Sequence, residues 1–390
     1  MSDPRPNTSA PADLPNGPAS AAPAGSIAAP PATAPRVTAE PVTAKSAAPM
    51  PTTAKPLMQR LLEMIRFSHT VFALPFALLA CVWAYAAPFP FTGGLTLGQL
   101  VVRVLGVLLC MVSARSAAMA FNRLVDVNFD ASNPRTAGRH LVSGELTRGQ
   151  VWAFFSWMVL MFFLSCTLFL PNWLPLAGSL PVLVWICGYS LAKRFTAAAH
   201  VWLGIALALS PICAWIAMRG EVLLVDPADI WPAVGLAAAI TCWVSGFDVI
   251  YACQDADFDQ RAGLYSLPAR LGIAGALRVA AGLHALMLAV LLALPGLFPQ
   301  LSLGAIYYTG LAVVAVLVIR QHAIIRPRPI RGASTVDSPQ ASQSNSANAH
   351  VATGDAPRID LGRVNEAFFQ INALLSFCLT GAAAIDALWR

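Results

Sequence analysis

Charge is what this chain has least of. Only 11% of its 390 residues are Asp, Glu, Lys or Arg, while 57% are hydrophobic. Soluble globular domains carry about 25% charged residues, so an ordinary soluble domain is excluded. Its eight cysteines form no CxxC pair or other metal-ligand spacing. Nearly all lie inside apolar runs, where free cysteine behaves as a small hydrophobe, so neither a disulfide framework nor a zinc site is expected. Residues 1 to about 55 are almost without large apolar side chains and rich in Pro, Ala, Ser and Thr. That composition cannot bury enough surface to order itself, and we read it as a disordered cytoplasmic tail. No apolar h-region follows the initiator Met, which argues against a secretory signal peptide. The net charge of +6 does not point to nucleic acid, because the basic residues lie in short loops between apolar runs.

Apolar runs of about the length a bilayer requires fill most of the rest. They fall roughly at 58–86, 98–124, 151–170, 173–191, 201–218, 231–254, 273–294, 302–321 and 364–387. The expected fold is all-α, a polytopic membrane protein with about nine transmembrane helices in one bundle. Residues 56–390 form this membrane domain, interrupted at about 332–357 by a polar Ser/Asn/Gln/Ala-rich insertion without periodicity. Lys and Arg concentrate on alternate loops: Arg135, Arg139 and Arg148, then Lys193 and Arg194, then Arg261 and Arg270, then Arg320, Arg326, Arg328 and Arg331. By the positive-inside rule this set faces the cytoplasm. The N-terminus is then inside and the C-terminus outside, in a bacterial-type inner membrane.

Two acid-rich segments end apolar runs on that same side. Asn122, Asp126 and Asp130 recur at i, i+4 and i+8, which keeps them on one face of a continuous helix. Asp248, Tyr251, Asp255 and Asp259 recur at i, i+3, i+7 and i+11, again one stripe. Carboxylates near hydrocarbon are costly and mark function by default. Together they predict a strongly negative pocket that needs cations. Oxygen ligands on one face suit Mg²⁺, which is completed by waters and substrate phosphates. Arg135 and Arg139 can donate to phosphate oxygens. Asp248 lies deeper than a loop residue needs to be, whereas Asp257 points off the stripe.

These residues carry a resemblance. Asn122-x3-Asp126-x3-Asp130 with Arg135-Thr136 and Arg139, Asp248-x2-Tyr251-x3-Asp255-x3-Asp259, and the intervening Tyr189-x3-Lys193-Arg194 resemble the signatures of the UbiA superfamily of intramembrane prenyltransferases. The resemblance runs from about 57 to 387, outside the insertion. It implies Mg²⁺-dependent transfer of a polyprenyl group from a polyprenyl diphosphate to a small aromatic acceptor such as 4-hydroxybenzoate, with the isoprenoid tail in a lipid-open groove. It further implies that Asn122, Asp126 and Asp130 hold one metal, Asp255 and Asp259 a second, and that Arg135, Arg139, Lys193 and Arg194 neutralise the diphosphate. Asp248 and Tyr251 orient the acceptor or the allylic cation. Arg66, with His69 one turn on, either holds a benzoate carboxylate or snorkels to the headgroups. Gln254-Asp255 and the Phe72-Ala73-Leu74-Pro75-Phe76 stretch are also similar to UbiA-like enzymes of menaquinone synthesis, so a naphthoate acceptor stays open. The alternative from another class is an ion-coupled transporter, whose acids sit near the bilayer midplane on broken helices.

Overall fold

The computed structural model describes residues 55–65, 74–90, 94–325 and 370–389. Arg66, His69, the N-terminal segment to Ala54 and the 332–357 insertion lie outside the described residues. Apolar runs become helices here because a helix satisfies its own backbone, which lipid cannot do. Among the described residues there are twelve α-helices: α1 Leu57–Met64, α2 Leu74–Ala86, α3 Leu97–Val125, α4 Val127–Ser132, α5 Arg148–Cys166, α6 Leu174–Ala192, α7 Ala199–Leu223, α8 Trp231–Ala252, α9 Ala256–Arg261, α10 Leu267–Leu297, α11 Ala305–Ile325 and α12 Asn372–Leu388.

Seven of the described helices, α3, α5, α6, α7, α8, α10 and α11, are long and apolar enough to cross a membrane. Two shorter apolar helices, α2 and α12, occupy the first and last expected spans. Seven spans of full length are thus found among the described residues, and the runs at 58–86 and 364–387 each include residues outside them. The run at 58–86 holds two described helices. Its first part is α1, an amphipathic helix whose Leu61 and Met64 pack against Leu124, Leu146, Val151 and Phe154. Its outer face carries a Lys55–Glu63 ion pair at 2.8 Å. The 13 described residues of α2 rise about 20 Å.

Large apolar residues on the outer helices face outward, including Trp157, Leu164, Leu180, Val184 and Val316. In water so much exposed apolar surface would aggregate; against lipid it is the expected exterior. The centre is α8, packed between α7 and α10, with Trp243 in edge contact with Phe76 and Phe247. Gly204 permits the close approach of α7 to α8: a Cβ there would lie 2.7 Å from the Thr241 carbonyl oxygen. Far from the acidic segments, the fully buried Arg219 holds Asp229 through two nitrogens at 2.8 Å and donates to the carbonyls of Ala84, Ala87 and Pro88. Those carbonyls end α2 and have no helical partner of their own. The guanidinium therefore fastens the end of α2 to α7.

Candidate functional site

Both acidic segments sit where a long helix breaks. The α3 helix stops at Asp126, whose backbone (φ −95°, ψ 4°) leaves helical geometry, and α4 restarts at Val127. Likewise α8 ends at Ala252, a 3₁₀ turn covers Cys253–Asp255, and α9 begins at Ala256. The continuous stripes expected from the spacing are therefore each divided between two helices. Asp126 and Asp255 (φ −106°, ψ 8°) both stand at the junctions with non-helical backbone, and their carboxylates make no cap hydrogen bond but reach across the cavity to Arg194 and Arg135. Gly263, at φ +67°, turns the chain after α9. The Tyr265 N–H then donates to the Lys193 carbonyl at 2.7 Å, fastening this turn to the end of α6.

The result is one polar cavity of about 320 Å³, lined by Asn122, Asp126, Asp130, Arg135, Arg139, Lys193, Arg194, Asp248, Tyr251, Asp255 and Asp259. Every expected site residue is there except Arg66, which lies outside the described residues. Arg123 and Asn133 also line it, and the spacing did not single them out. The buried Asn133 donates to Asp255 Oδ1 at 3.1 Å, and Arg123 donates to Asn122 Oδ1 at 2.9 Å.

The cavity is not strongly negative. Its five aspartates (126, 130, 248, 255, 259) face five bases (Arg123, Arg135, Arg139, Lys193, Arg194). Four acids are individually paired. Arg135 Nε and Nη2 reach the two oxygens of Asp255 at 2.8 and 2.5 Å. Arg139 Nη1 spans both oxygens of Asp130 at 2.5 and 2.6 Å. Arg194 Nη2 contacts Asp126 Oδ1 at 3.0 Å, and Lys193 Nζ contacts Asp259 Oδ2 at 3.3 Å. Burial raises the Asp126 carboxyl above its usual range, with Arg194 pulling the other way. For Arg135, burial works against the charged form, yet its hydrogen bonds and charge contact with Asp255 leave its pKa raised. Tyr251 does not stand free beside the acceptor space: its hydroxyl accepts from Arg135 Nη1 at 3.3 Å, and the guanidinium lies 5.5 Å from its ring.

The partners differ in depth. Asp259 is 3% exposed and Lys193 34%; Asp126 is 23% exposed and Arg194 35%. In each pair the acid is the more buried partner. When a base turns towards an incoming phosphate, a buried carboxylate loses its countercharge and demands another cation. Among the described residues no three His, Cys, Asp or Glu side chains form a ready metal cage. The donor chemistry nevertheless fits Mg²⁺: hard oxygen donors on both walls of one cavity, with room for phosphate oxygens to complete the shell.

A second cavity of about 360 Å³ adjoins the first, lined by α3, α5, α6, α7 and α8. Val107, Met111, Phe162, Phe169, Ile186 and Leu207 make it apolar. Met119, Tyr189, Leu203 and Asp248 line both cavities. Arg115 also lines the apolar one, and its Nε has no hydrogen-bond partner.

Residues 70–335 match the model of the UbiA prenyltransferase family. A 4-hydroxybenzoate octaprenyltransferase of Chromohalobacter salexigens is 32% identical over 232 residues, 59% of this chain and 72% of the relative. The apo structure of a UbiA homologue from Aeropyrum pernix K1 superposes with a TM-score of 0.62 at 30% identity, covering 82% of this chain and 98% of that one. A UbiA homologue from Archaeoglobus fulgidus, bound to DMAPP and Mg²⁺, shares the fold at a TM-score of 0.53 and 16% identity, covering 84% and 99%. The chain belongs to the UbiA prenyltransferase family and is a multi-pass membrane prenyltransferase.

Proposed function

We propose that this enzyme transfers a polyprenyl group from a polyprenyl diphosphate to a 4-hydroxybenzoate-like acceptor, with Mg²⁺, at the cytoplasmic end of its helix bundle. The observation that carries the reading is the junction of the two cavities: paired acids and bases on one side, an apolar chamber on the other. A polyprenyl diphosphate has the same division. The relatives named as 4-hydroxybenzoate octaprenyltransferases support the acceptor class.

In this reading Asn122, Asp126 and Asp130 hold one magnesium and Asp255 and Asp259 the other. Bound magnesium supplies Lewis-acid stabilisation of the leaving diphosphate. Arg135, Arg139, Lys193 and Arg194 exchange part of their carboxylate contacts for phosphate oxygens. They are then aimed where negative charge grows as the allylic C–O bond ionises, and such preorganised charge is usually the main source of rate enhancement. Tyr251 fixes the Arg135 guanidinium from its open side and offers its ring to the neighbouring cation. The isoprenoid tail occupies the apolar chamber between α3, α5, α6, α7 and α8. Arg115 lines that chamber with Tyr189, its buried Nε without a hydrogen-bond partner, and its charge suits the acceptor's carboxylate. The basic residues around the polar cavity support a cytoplasmic opening. An acceptor panel tests the assignment. Membranes holding the protein, given one polyprenyl diphosphate and Mg²⁺, should prenylate 4-hydroxybenzoate in preference to a hydroxynaphthoate; the reverse preference would reassign the acceptor.

A further inference from the structure

The spacing of the second acidic segment leaves Asp248 without a partner or a definite task. The structure gives it one. His200, near the start of α7 and fully buried, places Nδ1 2.6 Å from Asp248 Oδ2. On the other edge of the ring, the Leu267 backbone N–H points at Nε2 from 3.3 Å. A backbone N–H can only donate, so Nε2 is the acceptor and carries no proton. The proton therefore sits on Nδ1 and is donated to Asp248. This is a neutral imidazole in a fixed tautomer, holding a carboxylate in a fixed rotamer.

The surroundings keep the pair rigid. Gly204, one turn further along α7, allows the close packing of α7 on α8 that brings His200 beside Asp248. Leu267 opens α10 just after Ser266, whose hydroxyl accepts the Ala269 N–H as N-cap. Its N–H is one of the donors a helix start leaves unpaired, and His200 satisfies it. Asp248 itself is partly open and is the one acid among the four residues lining both cavities. It stands where an allylic carbon, leaving the diphosphate side, meets a ring held in the apolar chamber.

We infer that Asp248 is the base that takes the ring proton, and that His200 is the positioning residue that holds it for that step. The inference rests on the prenyl-transfer reading. The allylic C–O bond breaks and its electron pair leaves with the diphosphate. A π pair of the acceptor ring forms the new C–C bond to the allylic carbon, leaving the positive charge on the ring. The C–H pair at the alkylated carbon then restores the aromatic ring as the proton passes to Asp248. His200 keeps its own Nδ1 proton throughout, because Nε2 is committed to Leu267. The carboxyl of Asp248 afterwards returns the proton to water through the polar cavity.

The test uses the full-length protein in membranes with His200→Leu, His200→Asn and Asp248→Asn, and an acceptor deuterated at the alkylated ring carbon. His200→Leu should lose about 100-fold in kcat, the scale of a general base put out of position, with the KM for polyprenyl diphosphate unchanged. A primary deuterium isotope effect should emerge in it, since proton removal becomes slow. In His200→Asn the amide N–H reaches the Nδ1 position, so it should recover most of the turnover and lose the isotope effect. Wild-type kcat in His200→Leu overturns the inference. So does a kcat loss with raised diphosphate KM and no isotope effect, which is the signature of a structural role. If His200→Leu does not fold, Asp248→Asn decides: it must show the isotope effect, and its absence is equally fatal. Failure of the wild-type protein to prenylate any aromatic acceptor would instead refute the underlying reading.

Discussion

Arg135 holds Asp255 by both arms, Nε on one carboxylate oxygen at 2.8 Å and Nη2 on the other at 2.5 Å, across 120 residues of sequence. This pair ties the first acidic segment to the second, and it is the contact that a diphosphate must loosen. Lysine carries the same charge but cannot make the planar fork. Arg135→Lys should therefore lose one charge-assisted hydrogen bond, about 1.5–3 kcal/mol, or roughly 10- to 100-fold in kcat/KM. Steady-state kinetics with varied polyprenyl diphosphate checks it; activity equal to wild type would mean the fork is not used.

The apolar chamber makes a separable prediction. Arg115→Leu removes the charge that faces the acceptor's carboxylate but touches none of the paired acids. The acceptor KM should rise about 10- to 100-fold, as expected for a lost hydrogen bond to a charged group. The KM for polyprenyl diphosphate should stay within a few-fold. A change confined to the diphosphate KM would place Arg115 on the wrong substrate.

Stability should depend on the opposite end of the bundle. Arg219 and Asp229 expose only 2% and 14% of their side chains, so Arg219→Ala leaves a nearly buried carboxylate and three helix-end carbonyls without their donor. Breaking such a pair costs about 3–5 kcal/mol. The thermal unfolding midpoint in detergent should fall, while kcat of the protein that remains folded is retained. An unchanged midpoint would contradict the role assigned to this clamp.

Much of the fold was legible in the sequence because lipid imposes one rule. Backbone groups must be satisfied locally, so apolar runs became helices close to where they were expected, from Leu97–Val125 through Ala305–Ile325. The spacing of the acids likewise put the right residues in one cavity. What the spacing misplaced was the path of the chain between them. Periodicity assumes an unbroken helix, whereas α3 and α8 both break at the acids. Periodicity also cannot see pairs across long separations. Asp248 is 48 residues from His200, and Asp255 is 120 from Arg135. The negative pocket was expected because Arg135, Arg139, Lys193 and Arg194 were assigned to the diphosphate, whereas in the structure each pairs with an aspartate. In the run at 58–86, Arg60 and Glu63 put charge on α1, which average hydrophobicity conceals.

The most direct test of the central claim is product formation against Mg²⁺ concentration, in wild-type protein and in Asp126→Asn and Asp255→Asn. The cavity chemistry predicts no prenylated product after chelation and full recovery on adding Mg²⁺. It also predicts a loss of at least about 100-fold in kcat/KM for both variants, the scale of removing one preorganised charge-stabilising group. Undiminished turnover in chelator, or wild-type turnover in either variant, would contradict the assignment of these acids to a magnesium–diphosphate site.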